Sequence, residues 1–203
     1  MVSGPVESCQ RVLGSLRVQI ANEAGLVPES KWNLLWVEQF PLVQRDPEAD
    51  RWVSYHHPFT APNWGDLDLI EEQPAILKSQ AYDLVLNGTE IGGGSIRIHR
   101  PDVQRRVFRL LGIGQEEGES KFGFLLRALQ AGAPPHGGIA LGFDRIAALL
   151  TGAESIREVI AFPKTTSASC LMTASPAPVD DSQLLELGLS RSPSTGTPDD
   201  STS

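Results

Sequence analysis

The sequence is poor in the features that mark membrane-spanning and disulfide-stabilised proteins. No apolar run reaches the roughly 18 residues that a membrane helix needs, and the start, MVSGPVESCQRVLGSL, has no basic head followed by an apolar core. The two cysteines, Cys9 and Cys170, lie far apart and in no metal-binding or redox spacing. We therefore expect a soluble cytoplasmic protein with reduced thiols and no membrane partner.

An excess of positive charge is also missing. The 203 residues include 17 Lys and Arg against 25 Asp and Glu, which gives a formal charge of −8. This balance argues against a broad surface for a nucleic-acid backbone, although a cleft can still hold a few cations. The 40% hydrophobic content is ordinary for a globular protein, and the length suffices for a domain with its own core.

Helix and strand signals follow one another without regular alternation. Apolar residues at helical spacing occur in 6–26, 101–113, 119–132 and 144–152, and strand signals occur in 32–42, 52–59, 81–99 and 133–143. The stretch 43–52 resembles a polar turn, and 60–80 resembles loop with a short helix. This pattern predicts an α+β fold with a mainly antiparallel sheet flanked by helices. The Ser-, Pro- and Asp-rich segment 176–203 is predicted to be a disordered tail.

The predicted hairpin within 81–99 carries the first candidate site. Asn87-Gly88 is a strong two-residue turn signal, and it pairs Leu84 with Ile91. Asp83 then shares one face with Glu90 as its diagonal neighbour. Two carboxylates so placed can share a divalent cation such as Mg²⁺. On spacing alone, a solvated strand face explains the two acids better.

The continuation of this hairpin, GGGSIRIH, raises a question of register. Strand alternation places Ser95, Arg97 and His99 on one face. Glu90 and Arg97 are an odd number of residues apart, so strict alternation puts them on opposite faces. If both serve one site, the register must break within Gly92–Gly94, because glycines in a strand often mark a bulge.

A second candidate site lies in GGIALGFDRIAALLTG, residues 137–152. Small apolar residues lead to Gly142, and Arg145 then stands in the first turn of a predicted helix. The positive end of the helix dipole disfavours a cation there, so an anionic partner is expected. A helix N-terminus and an arginine together suit a phosphate or a carboxylate. The alternative is a surface ion pair of Arg145 with Asp144 or Glu154.

Taken together, four stretches resemble the C-terminal part of the catalytic domain of bacterial-type aspartyl-tRNA synthetases. They are HHPFT, YDLVLNGTEIGGGSIRIH, GAPPHGGIALGFDRIAALLTG and IREVIAFPKT, in that order. GGIALGFDR is similar to motif 3 of the class II synthetases, and EIGGGSIRIH is similar to the aspartate type of the preceding strand. The resemblance implies a partial class II catalytic fold in 30–175, with 1–29 as the end of an inserted domain.

The resemblance also implies an activity and its participants. The full-length enzyme would activate L-aspartate with ATP and Mg²⁺, transfer it to tRNA and act as a homodimer. Asp83 and Glu90 would hold Mg²⁺ at the ATP phosphates, and Arg97 would pair with the side-chain carboxylate of aspartate beside His56. His57 is not assigned there, because neighbouring strand residues point to opposite faces. The ATP-binding residues would be Glu90, Gly142, Phe143, Asp144 and Arg145, with the last on the γ-phosphate.

Some segments of the enzymes in that family have no counterpart in this sequence. Motifs 1 and 2 and the anticodon-binding domain are not represented, so we expect a fragment. Alone it would be marginally stable, self-associating and weak in adenylation, and a companion chain carrying motifs 1 and 2 could complete it. Two alternatives stay open: a non-catalytic module that binds an amino acid, a nucleotide or a protein, and an asparagine or lysine enzyme. GGGSIRIH argues against the latter.

Overall fold

The computed structural model of the chain describes residues 2–28 and 31–191. Its strands are Leu34–Glu38 (β1), Val43–Asp46 (β2), Arg51–Ser54 (β3), Ala81–Leu86 (β4), Thr89–Ile96 (β5) and Gly137–Leu141 (β6). Its helices are Val6–Glu23 (α1), Leu69–Glu72 (α2), Pro101–Leu110 (α3), Gln115–Gln130 (α4), Phe143–Thr151 (α5) and Asp181–Glu186 (α6). Short 3₁₀ turns occupy Trp64–Asp66, Pro74–Ile76 and Ile156–Glu158.

Four strands form an antiparallel sheet in the order β1-β4-β5-β6, and β2 pairs with β3 in a separate hairpin. The central hairpin turns at the predicted pair, where Asn87 and Gly88 have φ of 48° and 83°. Asn87 tolerates this backbone because its side chain is tied locally: it accepts from the N–H of Asn33 and donates to the carbonyl of Lys31. The predicted antiparallel α+β arrangement is confirmed.

The hydrophobic core lies among the β2–β3 hairpin, the connection from residue 59 to residue 80, and α3. Its fully buried members include Leu77, Ile98 and Val107. A second cluster joins Phe59, Phe108 and Leu129 of α4. Helix α3 starts with a proline and places its apolar residues on one side, as its sequence spacing predicts.

The connection 59–62 is important because it runs beside the end of β5. The N–H of Ala61 donates to the carbonyl of Ile96 (2.9 Å), and the N–H of Ile98 donates to the carbonyl of Phe59 (2.9 Å). Thr60 thereby forms a bridge with Arg97. The segment that follows β3 is thus brought next to the middle of the sheet.

The chain forms two compact units, and the break in sequence falls between Arg145 and Ile146. Both sheets and both core clusters belong to the first unit. In the second, Ser155 caps the turn Ile156–Glu158 with a reciprocal capping box. The predicted boundaries at 29/30 and 175/176 stay predictions. No helix within the described residues is long and apolar enough to cross a membrane.

Several sequence-based predictions of secondary structure were wrong in detail. The stretch 43–52 is not only a turn, because it contains β2 and the start of β3. The second predicted strand ends at Ser54, so His56 and His57 lie outside it. Helix α4 starts at Gln115, four residues earlier than predicted. In the predicted disordered tail, residues 181–186 form α6, and 192–203 lie outside the described residues.

Apolar side chains are exposed on the outer strands and on α1. Leu34, Leu35 and Trp36 of β1 are 62, 51 and 55% exposed, and Leu141 of β6 is 57% exposed. The first segment forms the predicted helix, α1, but the apolar side chains of that helix are not buried. The exposed side chains include Val12, Leu13, Leu16 and Ile20. Apolar surface of this extent is typical of a surface that another polypeptide covers.

Candidate functional site

Two carboxylates face each other across the central hairpin. Asp83 of β4 pairs with Gly93 of β5, and Glu90 pairs with Val85 two residues along β4. The point where a Cβ on residue 93 would stand is 2.5 Å from Oδ1 of Asp83 and 3.7 Å from Oε1 of Glu90. The predicted diagonal arrangement of the two acids on one face is therefore confirmed.

The register of the hairpin differs from the predicted one at a single residue. Leu84 pairs with Gly92 and not with Ile91, which is left without a partner as a β-bulge. The sequence predicted a break within Gly92–Gly94, and the observed break lies one residue earlier, at Ile91. Beyond the bulge, alternation from Gly93 carries Arg97 onto the face of Asp83 and Glu90. The register break that a single site requires is present.

Arg97 is held by its backbone just beyond β5. Its N–H donates to the carbonyl of His136 (2.9 Å), and its other neighbour is Thr60, whose hydroxyl lies 3.5 Å from that of Ser95. The guanidinium Nη1 is buried and has no hydrogen-bond partner among the described residues. An unpaired buried donor is costly, so this group is ready for an anionic acceptor such as a carboxylate.

The two adjacent histidines both reach the site, because the strand ends at Ser54 and the chain then passes through a bend at 55–56 and a turn at 58–59. The ring of His56 packs edge-on against Phe40, with 4.7 Å between ring centroids. Nδ1 of His57 accepts from the N–H of Phe59 (3.2 Å). Burial, and then the charge of Arg97, lower the pKa of His57. His57 is therefore neutral at pH 7, with its Nε2–H left as a donor.

The turn into α5 is fixed to the bulge by two successive carbonyls. The N–H of Gly142 donates to the carbonyl of Ile91 (2.8 Å), and Nη1 of Arg145 donates to the carbonyl of Glu90 (2.9 Å). The same Nη1 lies 3.5 Å from Oε1 of Glu90. The ion pair of Arg145 is therefore with Glu90, and neither Asp144 nor Glu154 supplies it.

These groups line one open cavity of about 430 Å³. Six of the eight predicted site residues lie on its wall: His56, Asp83, Glu90, Arg97, Gly142 and Arg145. Phe143 and Asp144 do not, and Phe143 is 80% exposed. Sequence reasoning missed His57, Thr60 and Ile91 on this wall. Only His57 could have been found from its position in HHPF, since the others depend on the bulge and on the chain segment beside Arg97.

Asp83 and Glu90 give one part of the cavity wall a negative charge. Burial, and then the charge of Glu90, raise the pKa of Asp83, while nearby His56 acts in the opposite sense. Burial is the larger cause, and the contribution of Glu90 indicates that the two carboxylates lie close enough to repel each other. The described residues contain no group of three or more His, Cys, Asp or Glu side chains suited to a metal. Two carboxylates still fit Mg²⁺, which keeps waters and takes further ligands from substrate phosphates.

Comparisons with a family model and with individual proteins indicate the same family. A family model described as tRNA synthetases class II (D, K and N) matches residues 10–166. Relatives named aspartate–tRNA(Asp/Asn) ligase are 55% identical over 188 residues in Desulfatibacillum aliphaticivorans, 59% over 179 in Desulfotalea psychrophila and 57% over 178 in Bacillus subtilis. The matches cover 93, 88 and 88% of this chain and 32, 30 and 30% of the relatives. The chain thus spans about a third of their length.

A solved structure agrees on the fold. The asparaginyl-tRNA synthetase of Entamoeba histolytica in complex with asparaginyl-adenylate superposes with a TM-score of 0.51 and 21% identity. The superposition covers 74% of this chain and 28% of that chain. At this level of identity the likeness concerns the fold alone, and it agrees with the antiparallel sheet and flanking helices described above.

Proposed function

Because this chain belongs to the class II tRNA synthetases of the D, K and N group, we propose that it is part of an aspartate–tRNA ligase. That enzyme activates L-aspartate with ATP and transfers the aspartyl group to tRNA. The observation that carries the proposal is the gathering of Asp83, Glu90, Arg97 and Arg145 around one cavity. The same four residues disfavour a non-catalytic module, since binding alone does not require this full set of charges.

Each charged group has one task in this proposal. The guanidinium of Arg97, whose Nη1 is buried without a hydrogen-bond partner among the described residues, receives the side-chain carboxylate of aspartate. It rejects asparagine because the amide offers one oxygen and an NH2 group, and the NH2 group cannot accept from the second N–H of the guanidinium. His56 and neutral His57 line the same end and supply weaker polar contacts. Arg145, at the start of α5, turns from Glu90 toward the γ-phosphate of ATP. Gly142 leaves the backbone free to approach the nucleotide.

The reaction joins two anions. The α-carboxylate oxygen of aspartate attacks the α-phosphorus of ATP, the bond from that phosphorus to the bridging oxygen breaks, and pyrophosphate leaves with the electron pair. Asp83 and Glu90 would hold Mg²⁺, which neutralises the phosphates when bound. Arg97 and Arg145 lower the activation barrier because they hold both substrates in place and offset the repulsion between their negative charges.

The wider partners follow from the same proposal. They are aspartate, ATP and tRNA, within a homodimer of the complete enzyme located in the cytoplasm. The apolar outer strands β1 and β6 would pack on the polypeptide that carries motifs 1 and 2, either in a longer chain or as a companion chain. The exposed row on α1 would be covered in the same assembly.

Binding experiments on the 203-residue chain test the substrate assignment. Isothermal titration should show binding of L-aspartate over L-asparagine, lost in Arg97→Ala, while binding of ATP with Mg²⁺ persists in that variant. Arg145→Ala should show the opposite loss. Equal binding of aspartate and asparagine by the unmodified chain would contradict the proposal.

A second experiment tests catalysis. Aspartate-dependent exchange of pyrophosphate into ATP is measured with the chain alone and with the remaining two-thirds of the Bacillus subtilis relative added as a separate polypeptide. We expect little exchange alone and restored exchange in the mixture, abolished by Arg97→Ala. Full exchange by the chain alone would refute the need for motifs 1 and 2.

A further inference from the structure

The three consecutive glycines of β5 are not equivalent. A Cβ on Gly94 would stand 1.9 Å from the carbonyl oxygen of Gly138, and a Cβ on Gly92 would stand 2.8 Å from the carbonyl oxygen of Ala140. Both collisions involve the backbone of β6. Glycine at these two positions is therefore explained by the close approach of the neighbouring strand.

The close approach of β6 does not explain why residue 93 is a glycine. The atoms nearest to its missing Cβ are side-chain atoms, chiefly Oδ1 of Asp83 at 2.5 Å and then Oε1 of Glu90 at 3.7 Å. Its φ lies outside the left-handed region, so the backbone conformation does not call for glycine. The empty space above Gly93 is bounded by the two carboxylates and serves no contact between strands.

We propose that Gly93 is a positioning residue for the divalent cation, because its missing side chain leaves Asp83 free to stand beside Glu90. The inference rests on the proposed function, in which those two acids hold Mg²⁺. A methyl group at residue 93 pushes the Asp83 carboxylate out of reach of Glu90. The carboxylate is the mobile end of a side chain, so it can turn away while the strand pairing survives.

The surroundings of Asp83 support this role. Oδ1 of Asp83 and Oε1 of Glu90 lie 2.5 and 3.7 Å from the same point above residue 93, so the two acids form a common anionic site. Arg145 holds Glu90 from the other side, through the carbonyl at 2.9 Å and Oε1 at 3.5 Å. The backbone of Glu90 is also fixed by its pairing with Val85 in the hairpin, so it stays in place when Arg145 turns to the phosphate. Asp83 is therefore the partner whose position depends on the space at residue 93.

The test measures metal binding by the full chain, with Mn²⁺ as a spectroscopic probe for Mg²⁺. Free Mn²⁺ is followed by electron paramagnetic resonance with the metal and the chain alone, and the thermal midpoint is measured in parallel. Gly93→Ala should weaken Mn²⁺ binding roughly 10- to 100-fold, the range for supports of metal ligands. Its thermal midpoint and its binding of L-aspartate should match those of the unmodified chain.

Two further variants separate positioning from a structural effect. Gly138→Ala on β6 adds the same methyl group with nothing within 4 Å and should change neither readout. Asp83→Asn should already bind Mn²⁺ weakly, and adding Gly93→Ala to it should weaken binding no further. An additional loss in the double variant would mean that Gly93 does not act through Asp83, and the proposal would fall.

The remaining outcomes are also decisive. Unchanged Mn²⁺ binding in Gly93→Ala would overturn the positioning role and leave the proposed function intact. A lower thermal midpoint of Gly93→Ala together with lost aspartate binding would show a structural role instead. Absence of Mn²⁺ binding by the unmodified chain would overturn the metal site itself and this inference with it.

Discussion

Replacing Arg97 by Met should move stability and substrate affinity in opposite directions. The guanidinium Nη1 is buried and has no hydrogen-bond partner within residues 2–28 and 31–191, and such a group costs about 1–3 kcal/mol relative to a satisfied one. Methionine has similar length and no donor, so the change removes this penalty. For a chain of this size, that gain raises the thermal midpoint on the order of 2–12 °C.

In the proposed function, the same substitution removes the group that receives the side-chain carboxylate of aspartate. Hydrogen bonds to charged groups contribute about 1.5–3 kcal/mol, so aspartate affinity should fall roughly 10- to 150-fold. Calorimetric unfolding and titration with L-aspartate measure the two effects on the same sample. The exposed Arg105→Met variant on α3 is the control and should change neither. A lower thermal midpoint with unchanged aspartate affinity would refute the reasoning.

Four other predictions follow from the charges and the packing. Glu90→Gln removes a negative charge next to Asp83, so the raised pKa of Asp83 should fall but stay above the ordinary value, because burial is its larger cause; carboxyl NMR titration checks this. Mn²⁺ binding by the unmodified chain should weaken as the pH falls through that raised pKa. Ile98→Ala in the core should cost about 2–5 kcal/mol in urea unfolding, whereas Ile139→Ala at a 45% exposed position should cost far less. The pKa of Glu71 is lowered chiefly by a hydrogen bond from Arg106 of α3, so the stability that this bond adds is present above the ordinary glutamate pKa and is lost as the pH falls through the depressed value. Glu71→Gln should therefore make the free energy of unfolding depend less on pH in the acid range. Equal pH dependence of the free energy of unfolding in the variant and the unmodified chain would contradict this prediction.

Local signals in the sequence were sufficient for the hairpin and its two acids. Asn87-Gly88 dictates a tight turn because both residues accept a positive φ, and the pairing nearest the turn follows from it. The need for a register break before Arg97 also follows from parity alone. These features depend on residues close together in sequence, and they were predicted correctly.

The place of the break could not be predicted, because it is decided by a distant strand. Glycines at 92 and 94 are required by the backbone of β6, so they must remain paired. The extra residue is therefore Ile91, a buried side chain in which no sequence pattern indicates a bulge. His57 was missed for a similar reason: Pro58 and the bend before it replace the expected strand, so alternation does not apply.

Deleting Ile91 would leave the charged groups of the cavity aligned, because Gly93 would still oppose Asp83 and the alternation onward to Arg97 would not change. A design procedure that rewards regular strand pairing would count this deletion as an improvement. The deletion would also remove the carbonyl that accepts from the N–H of Gly142 at 2.8 Å. The start of α5 would then lose one of its two hydrogen bonds to β5, so a hairpin idealised in isolation would loosen the proposed phosphate end of the cavity.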